Sequence, residues 1–233
     1  MKRATTLFLA LAMGTLLAQS ALAANAVRIS QQYGSGGNAG AVYNQDYVEL
    51  FNNSGSAVNI GGWSLQYGAA TGTVGFGGAS GQVTVFASGT TIAACGYLLV
   101  SIGTVGATGI ALPTPDVVGN TGTNMSGTQG KIALLSVSSF PTACSGNSTG
   151  GAFVDVLGYG STANCFETSA APATTASTAA TRGGGGVTDT DNNSTNFTSV
   201  APSPRNSSSP KNATCLVTPA NSSTWGQLKL LYR

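Results

Sequence analysis

The chain contains no histidine, and this absence excludes several kinds of active site. Ser-His-Asp and Cys-His catalysis both need an imidazole base, and many zinc and copper sites need imidazole ligands. The histidine base that many nucleases use is excluded for the same reason.

Charge is also scarce, because Lys, Arg, Asp and Glu together make up only 7% of the residues. If an N-terminal segment carrying Lys2 and Arg3 were removed, seven basic and seven acidic residues would remain. A net charge near zero argues against nucleic acid as a partner, because broad phosphate binding needs clustered Lys and Arg.

Long apolar runs are missing except near the start. Lys2 and Arg3 precede an apolar run at 7–17, and Ala21-Leu22-Ala23 follows with small residues two apart. This pattern is typical of a cleaved export signal, and the run is short for a bilayer crossing. We therefore predict a signal peptide over 1–23, no transmembrane segment after its removal, and a secreted, periplasmic or cell-surface location.

The chain has four cysteines, at positions 95, 144, 165 and 215. None of them forms the C-x-x-C motif that would indicate a zinc site. An even number in an exported chain predicts two disulfides, for which three pairings are possible. Cys144 and Cys165 flank one short segment and are the favoured local pair. The remaining pair, Cys95 and Cys215, would then fix the C-terminal stretch to the core.

Short runs rich in Val, Ile, Tyr and Phe alternate with Gly, Ser and Asn. Period-two alternation with glycine-rich breaks is typical of β-strands, and no sustained helical period follows the signal. The runs are 26–33, 47–53, 57–69, 82–87, 96–103, 130–137 and 152–160. They predict an all-β, immunoglobulin-like β-sandwich with long Gly/Ser/Thr-rich loops.

The domain boundaries follow from composition. One β-sandwich domain is expected over 24–215, with 168–186 as a low-complexity, mobile loop inside it. Residues 216–233 form a predicted C-terminal tail. Its apolar end could serve in docking to a partner, in sorting of the protein, or in covering an exposed sheet edge.

Two features resemble functional motifs, namely a dinucleotide-binding loop and a group of catalytic carboxylates. The glycine-rich stretch 33–40 precedes a predicted strand, whereas dinucleotide binding needs a following helix, so we interpret it as a loop. Asp46, Glu49 and Asp155 could serve acid–base work or Mg²⁺, but their spacing puts Asp46 and Glu49 on different faces. Val154 and Val156 are predicted to face opposite to Asp155, and all three acids to be outward and solvated.

The segment 188–210 holds weak candidates for a calcium site, namely Asp189, Asp191 and Asn193. A helix–loop–helix calcium loop starting at Asp189 would need Gly and Glu where Ser194 and Val200 stand. Short Asp and Asn side chains also bond backbone N–H groups two residues on. We therefore favour a turn with no cofactor, with Ca²⁺ as the alternative.

Three stretches together resemble the lamin tail domain as found in secreted bacterial proteins. They are 27–67, with its "DYVELFN" and "GWSL" strands, 154–167 with "VDVLGYG", and 188–210 with "TDTDNN" and "PSPRN". The resemblance covers about 26–215, in order. It implies an immunoglobulin-like sandwich and no catalytic residues of the family's own.

The resemblance also bears on individual residues. It implies that Asp189 and Asp191 shape a turn and that Pro202, Pro204 and Arg205 stiffen the exit from it. Relatives often carry a cysteine just before the "TDTDN" stretch, where this chain has Gly186-Val187. Cys215 then lacks a local partner, which favours Cys95.

Three functions remain open. The first is a non-enzymatic, exported interaction module that binds a protein or cell-envelope component, through the 34–40 loop or the 183–210 edge. The second is a metal-dependent hydrolase, or a nuclease-accessory protein, using Asp46, Glu49, Asp189 and Asp191. The third is a surface-layer or matrix component tethered through 223–233.

Overall fold

The computed structural model describes residues 26–72, 76, 82–139, 144, 146–147 and 152–215. The predicted signal peptide over 1–23 and the predicted tail over 216–233 lie outside the described residues. None of the helices in the described part of the chain has the length and apolarity that a bilayer crossing requires.

Regular secondary structure in the described chain is almost entirely β-strand, as the sequence predicts. One short helix, α1 (Asn193–Asn196), and a 3₁₀ turn over Gly183–Gly185 are the helical pieces of the described residues. The strands are β1 (Val27–Tyr33), β2 (Asp46–Asn52), β3 (Val58–Asn59), β4 (Ser64–Gly68), β5 (Val83–Val85), β6 (Thr91–Ile92), β7 (Tyr97–Ile102), β8 (Val117–Val118), β9 (Gly130–Leu135), β10 (Gly146–Asn147), β11 (Phe153–Tyr159), β12 (Cys165–Phe166), β13 (Ala179–Arg182) and β14 (Phe197–Val200).

Two large sheets form the sandwich. The six-stranded sheet has the order β14-β13-β1-β2-β7-β8, and the four-stranded sheet has the order β11-β9-β4-β5. Pairing between neighbours is antiparallel except between β7 and β8. Two further sheets have two strands each, β3-β6 and β10-β12. The predicted all-β sandwich is confirmed.

The core lies between the two sheets because alternate residues of each strand face inward. On β2 the inward residues are Val48 and Leu50, and on β4 they are Leu65 and Tyr67. Trp63 joins them in the same buried cluster, so alternate residues of the predicted run 57–69 share the core. The register between β1 and β2 places Gln32 opposite Val48 and Tyr33 opposite Tyr47.

The outer faces of both sheets are also covered. Tyr33, Tyr47 and Leu99 form a buried cluster on one outer face, and Ala133, Leu135 and Val156 join another. The strands are therefore buried on both sides, which explains why so few large apolar side chains are exposed.

Both favoured disulfides are present, which confirms the predicted pairings. Cys95 pairs with Cys215 and Cys144 pairs with Cys165, each with a Cα–Cα distance of 5.5 Å. Cys95 and Cys215 are buried together with Phe51 and Tyr97. The first bridge spans 120 residues of sequence and fixes the end of the described chain to the start of β7.

The prediction of a mobile loop across 168–186 is wrong for Ala179–Arg182. These residues form β13, which pairs with both β1 and β14 inside the six-stranded sheet. Ala179 and Ala180 are buried, and their small side chains let the strand lie close to its neighbours. Low sequence complexity concealed this strand because it has no large apolar residue.

Candidate functional site

A network of buried charges lies where β13, β11 and the 188–196 segment meet. Its centre is Arg182, whose side chain has no exposed area. One terminal nitrogen donates to both carboxylate oxygens of Asp155, at 2.9 and 2.8 Å. The other donates to Asp189 at 2.9 Å, and Nε donates to the carbonyl of Ile29 at 2.8 Å. The guanidinium carbon lies 4.5 Å from the ring centroid of Phe197.

Asp155 is buried, so the prediction that it faces solvent is wrong. The pairing of β11 with β9 shifts between Phe153 and Asp155, and this bulge breaks the simple alternation. Val154 packs against the core while Val156 belongs to an outer cluster, so the two do not share a face as predicted. Asp155 Oδ2 accepts the backbone N–H of Ile29 at 2.5 Å, which ties the two sheets together.

Glu167 adds a second buried carboxyl group to the network. Asn193 Nδ2 donates to Glu167 Oε2 at 2.9 Å, and Asn193 Oδ1 accepts the N–H groups of Gly158 and Glu167. Burial, followed by the charge of nearby Asp155, raises the pKa of Glu167 well above its usual range. Glu167 therefore favours its neutral form in this position.

The 188–196 segment forms a tight turn that ends in α1. Asn192 caps this helix by accepting the N–H of Ser194 through its side chain. Asp191 has a φ of 52°, a left-handed conformation that Asp and Asn adopt more readily than most residues. Arg28 reaches the same turn, with Nε 3.5 Å from Asp189 Oδ2.

The structure brings together three of the acidic side chains that could hold a metal ion. Among the described residues, carboxylate oxygens of Glu167, Asp189 and Asp191 lie within 4.8 Å of one another. The sequence prediction named Asn193 in place of Glu167, but both ends of the Asn193 amide already bond other groups. Arg182 bonds Asp189, and Glu167 favours its neutral form, so two of the three oxygens are poorly suited to a cation.

We expect the melting temperature to be the same in Ca²⁺ as in EDTA, because Arg28 and Arg182 already balance Asp189 and Glu167 favours its neutral form. Differential scanning calorimetry in Ca²⁺, Mg²⁺ and EDTA measures this directly. Binding to the folded state alone would add about 2.7 kcal/mol at a hundred times the dissociation constant. A calcium-dependent rise that Asp191→Asn removes would contradict the expectation.

Asp46 and Glu49, the other predicted hydrolase residues, are buried rather than solvated, which corrects that prediction. Glu49 is held by Arg205, which donates from a terminal nitrogen at 2.7 Å and from its backbone N–H at 2.6 Å. Burial raises the pKa of Glu49, and the bonds from Arg205 oppose that rise. Asp46 instead accepts N–H groups from Gly36 and Met125.

These carboxylates do not converge on one site. Glu49 lies on the outer side of β2 with Tyr47, whereas Asp46 points to the opposite side. Asp189 lies elsewhere, where it accepts a hydrogen bond from Arg182 of β13. The guanidinium of Arg205 also stacks on Tyr97 at 3.8 Å, so Arg205 does more than the stiffening that the resemblance implies. Sequence reasoning missed Arg182 and Glu167 as site residues, because neither has a motif partner nearby in the chain.

Three loops meet at one end of the sandwich and contain no charged residue. They are residues 34–45, 103–112 and 171–178, and we call them the neutral loop end. Gly37 bridges to Thr108, and Tyr43 bridges to Ile110. A Cβ on Gly37 would lie only 2.6 Å from the Cα of Gly106, so glycine is required for this close approach.

The neutral loop end exposes two aliphatic side chains. Val105 is 64% exposed and Ile110 is 63% exposed, and both lie in the 103–112 loop. The glycine-rich 34–45 loop connects β1 to β2, as the sequence predicts, and no phosphate-binding helix follows it.

Comparison with known proteins places this fold in a family. The chain resembles a solved DUF4876 family protein from Bacteroides thetaiotaomicron, with a TM-score of 0.52 and 12% identity, over 81% of this chain and 75% of that one. At this identity the likeness bears on the fold alone. No curated protein matches the chain. The family model described as Lamin Tail Domain matches residues 20–161, which is more than half of the sequence, and the chain therefore belongs to the lamin tail domain family.

Proposed function

We propose that this protein is an exported, non-catalytic interaction module that binds a partner protein through the neutral loop end. The observation that carries the proposal is the pair of exposed aliphatic side chains, Val105 and Ile110, on a surface without charge. Exposed apolar groups on a rigid scaffold are commonly used for recognition.

The acidic residues support a non-catalytic role. Asp155 and Glu49 are each held by a buried arginine interaction, and Asp46 bonds two backbone N–H groups. Acid–base or metal chemistry needs carboxylates that converge on a substrate. Among the described residues, these groups are instead distributed through the sandwich.

A protein partner fits this surface better than nucleic acid or a charged ligand. The loop end offers aliphatic side chains and glycine-rich backbone, and it lacks the Lys and Arg that phosphate recognition requires. Export is supported by the sequence pattern at 1–23 and by two disulfides, which persist in oxidising compartments.

Changing Val105 and Ile110 together to aspartate should weaken partner binding at least about tenfold, because charges would enter an apolar contact. The partner would first be captured by cross-linking in cells that produce the protein, and then purified for calorimetric titration. The matched control is Val200→Asp, which alters an exposed aliphatic residue on β14.

The control and the double variant should melt at the temperature of the unaltered protein. Equal affinities for the double variant and for the unaltered protein would remove the loop end from the contact. A loss of affinity in the Val200 variant alone would place the contact at the β14 edge instead.

A further inference from the structure

Asp46 is a buried carboxyl group that anchors two loops. Its Oδ1 accepts the N–H of Gly36 at 2.7 Å, and its Oδ2 accepts the N–H of Met125 at 3.1 Å. These bonds connect the 34–45 loop and the 123–127 segment to the start of β2. The residue is only 6% exposed, so both bonds lie largely out of solvent.

No basic side chain among the described residues forms an ion pair with Asp46. The titratable groups that face it are tyrosines: Tyr33 on β1, Tyr67 on β4 and Tyr159 on β11. Tyr67 accepts the N–H of Ser126, and Tyr159 donates to the carbonyl of Ser126. A carboxylate here would therefore be buried without a counter-ion, which is costly.

Gln32 supplies a second, independent observation at the same place. It lies opposite Val48 on the inner face of the sheet, and it is fully buried. Neither its amide nitrogen nor its amide oxygen has a hydrogen-bond partner among the described residues. Leaving such a group unpaired in the interior is costly.

The backbone places Gln32 and Asp46 near each other on the inner face of the sheet. Continuing the β1–β2 register by one step sets Gly34 opposite Asp46, so Gln32 and Asp46 are diagonal neighbours on one face. A Cβ on Gly34 would lie 2.8 Å from Gln32 Nε2 and 3.1 Å from the Cβ of Met125. The Gln32 amide thus extends over Gly34, close to Met125, whose N–H donates to Asp46.

We propose that Asp46 and Gln32 form a buried proton-binding site, in which the neutral carboxyl group of Asp46 donates a hydrogen bond to the Gln32 amide oxygen. One proton then removes the uncompensated charge of Asp46 and satisfies the acceptor of Gln32. The remaining oxygen lone pairs of Asp46 still accept the two backbone N–H groups. The folded arrangement around the loop anchor is consequently most stable when the proton is bound.

The direction of the pH effect follows from the titration of Asp46. Burial raises the pKa of Asp46 from an ordinary value of 3.8 to about 7, although the N–H groups of Gly36 and Met125 oppose the rise. The folded protein therefore binds a proton that the unfolded chain releases. This contribution to stability is fully present below pH 3.8 and is lost as the pH rises through about 7.

The test follows the carboxyl ¹³C resonance of Asp46 by NMR, assigned by its loss in Asp46→Asn. A titration midpoint near 7 is expected, and a midpoint near 4 would overturn the proposal. Between about pH 4 and pH 7, the number of protons taken up on folding should be about one lower in Asp46→Asn than in the unaltered protein. The matched control is Asp116→Asn, because Asp116 also accepts a backbone N–H, from Leu99, but is exposed.

A second variant tests the role of Gln32. Gln32→Met keeps the length of the side chain but removes the acceptor, so the midpoint of Asp46 should move to lower pH. An unchanged midpoint in a folded Gln32→Met protein would show that Gln32 does not accept a hydrogen bond from the Asp46 carboxyl group. Amide hydrogen exchange of Gly36 and Met125 should slow as the pH falls below neutral, after correction for the intrinsic rate, and no change in protection would count against the anchor.

Discussion

Replacing Arg182 with methionine should lower the free energy of unfolding by about 3–5 kcal/mol, the usual cost of leaving a buried charge unpaired. The arginine is the buried partner of Asp155 and also bonds Asp189 and the carbonyl of Ile29. Methionine retains much of the apolar length but supplies no donor. Denaturant unfolding monitored by circular dichroism measures the loss.

The matched control for this variant is Lys211→Met, which removes an exposed positive charge. Exposed substitutions of this kind usually change stability by less than about 0.5 kcal/mol. Equal stabilities of the two variants would show that the Arg182 network contributes little to the fold.

Removing the Cys95–Cys215 bridge by a double change to serine should cost about 4–5 kcal/mol, because the bridge closes a long loop of 120 residues in the unfolded chain. Loss of the bridge would also release the end of the described chain from the cluster with Phe51 and Tyr97. Thermal and denaturant unfolding of the oxidised protein and of the variant give the difference.

The second disulfide is an internal control. Cys144–Cys165 spans only 21 residues, so its removal should cost about 3 kcal/mol in the same entropic treatment. A larger loss for the short loop would contradict an origin in chain entropy and would indicate that local packing around Cys165 dominates.

Most of the fold could be predicted because strand signals are local. Alternation in "YVELF" identifies β2 and separates Val48 and Leu50, which the structure places in the core, from Glu49 on the other face. The β13 strand could not be predicted in the same way, because Ala179–Arg182 has no large apolar residue. Its position depends on pairing with β1 and β14 and on the bonds of Arg182, which are contacts between distant parts of the chain.

The site was harder to predict than the fold because its residues come from separate strands. The sequence drew attention to Asp189 and Asp191 but gave no reason to join them to Glu167 or Arg182. The outward placement of Asp155 followed from simple alternation, and the bulge in β11 invalidated that assumption. An arginine in a stretch of small residues was the available signal, and its partner could not be identified without the sheet.

Most of the few acidic residues in this chain are buried in the fold. Of the seven acidic residues, Asp46, Glu49, Asp155 and Glu167 are buried, and each takes part in bonds that join distant segments. The surface consequently depends on Ser, Thr, Asn and Gly for its polarity. Such a body is suited to presenting a neutral surface, as the loop end does with Val105 and Ile110.

The most direct measurement is a double-mutant cycle between Arg182 and Asp155, using Arg182→Met and Asp155→Asn. Asparagine is neutral and can still accept the N–H of Ile29. If the buried pair is structural, the double variant should be more stable than Arg182→Met alone, with a coupling energy of up to about 3 kcal/mol. Additive losses with no coupling would contradict the claim that these charges serve to hold the two sheets together.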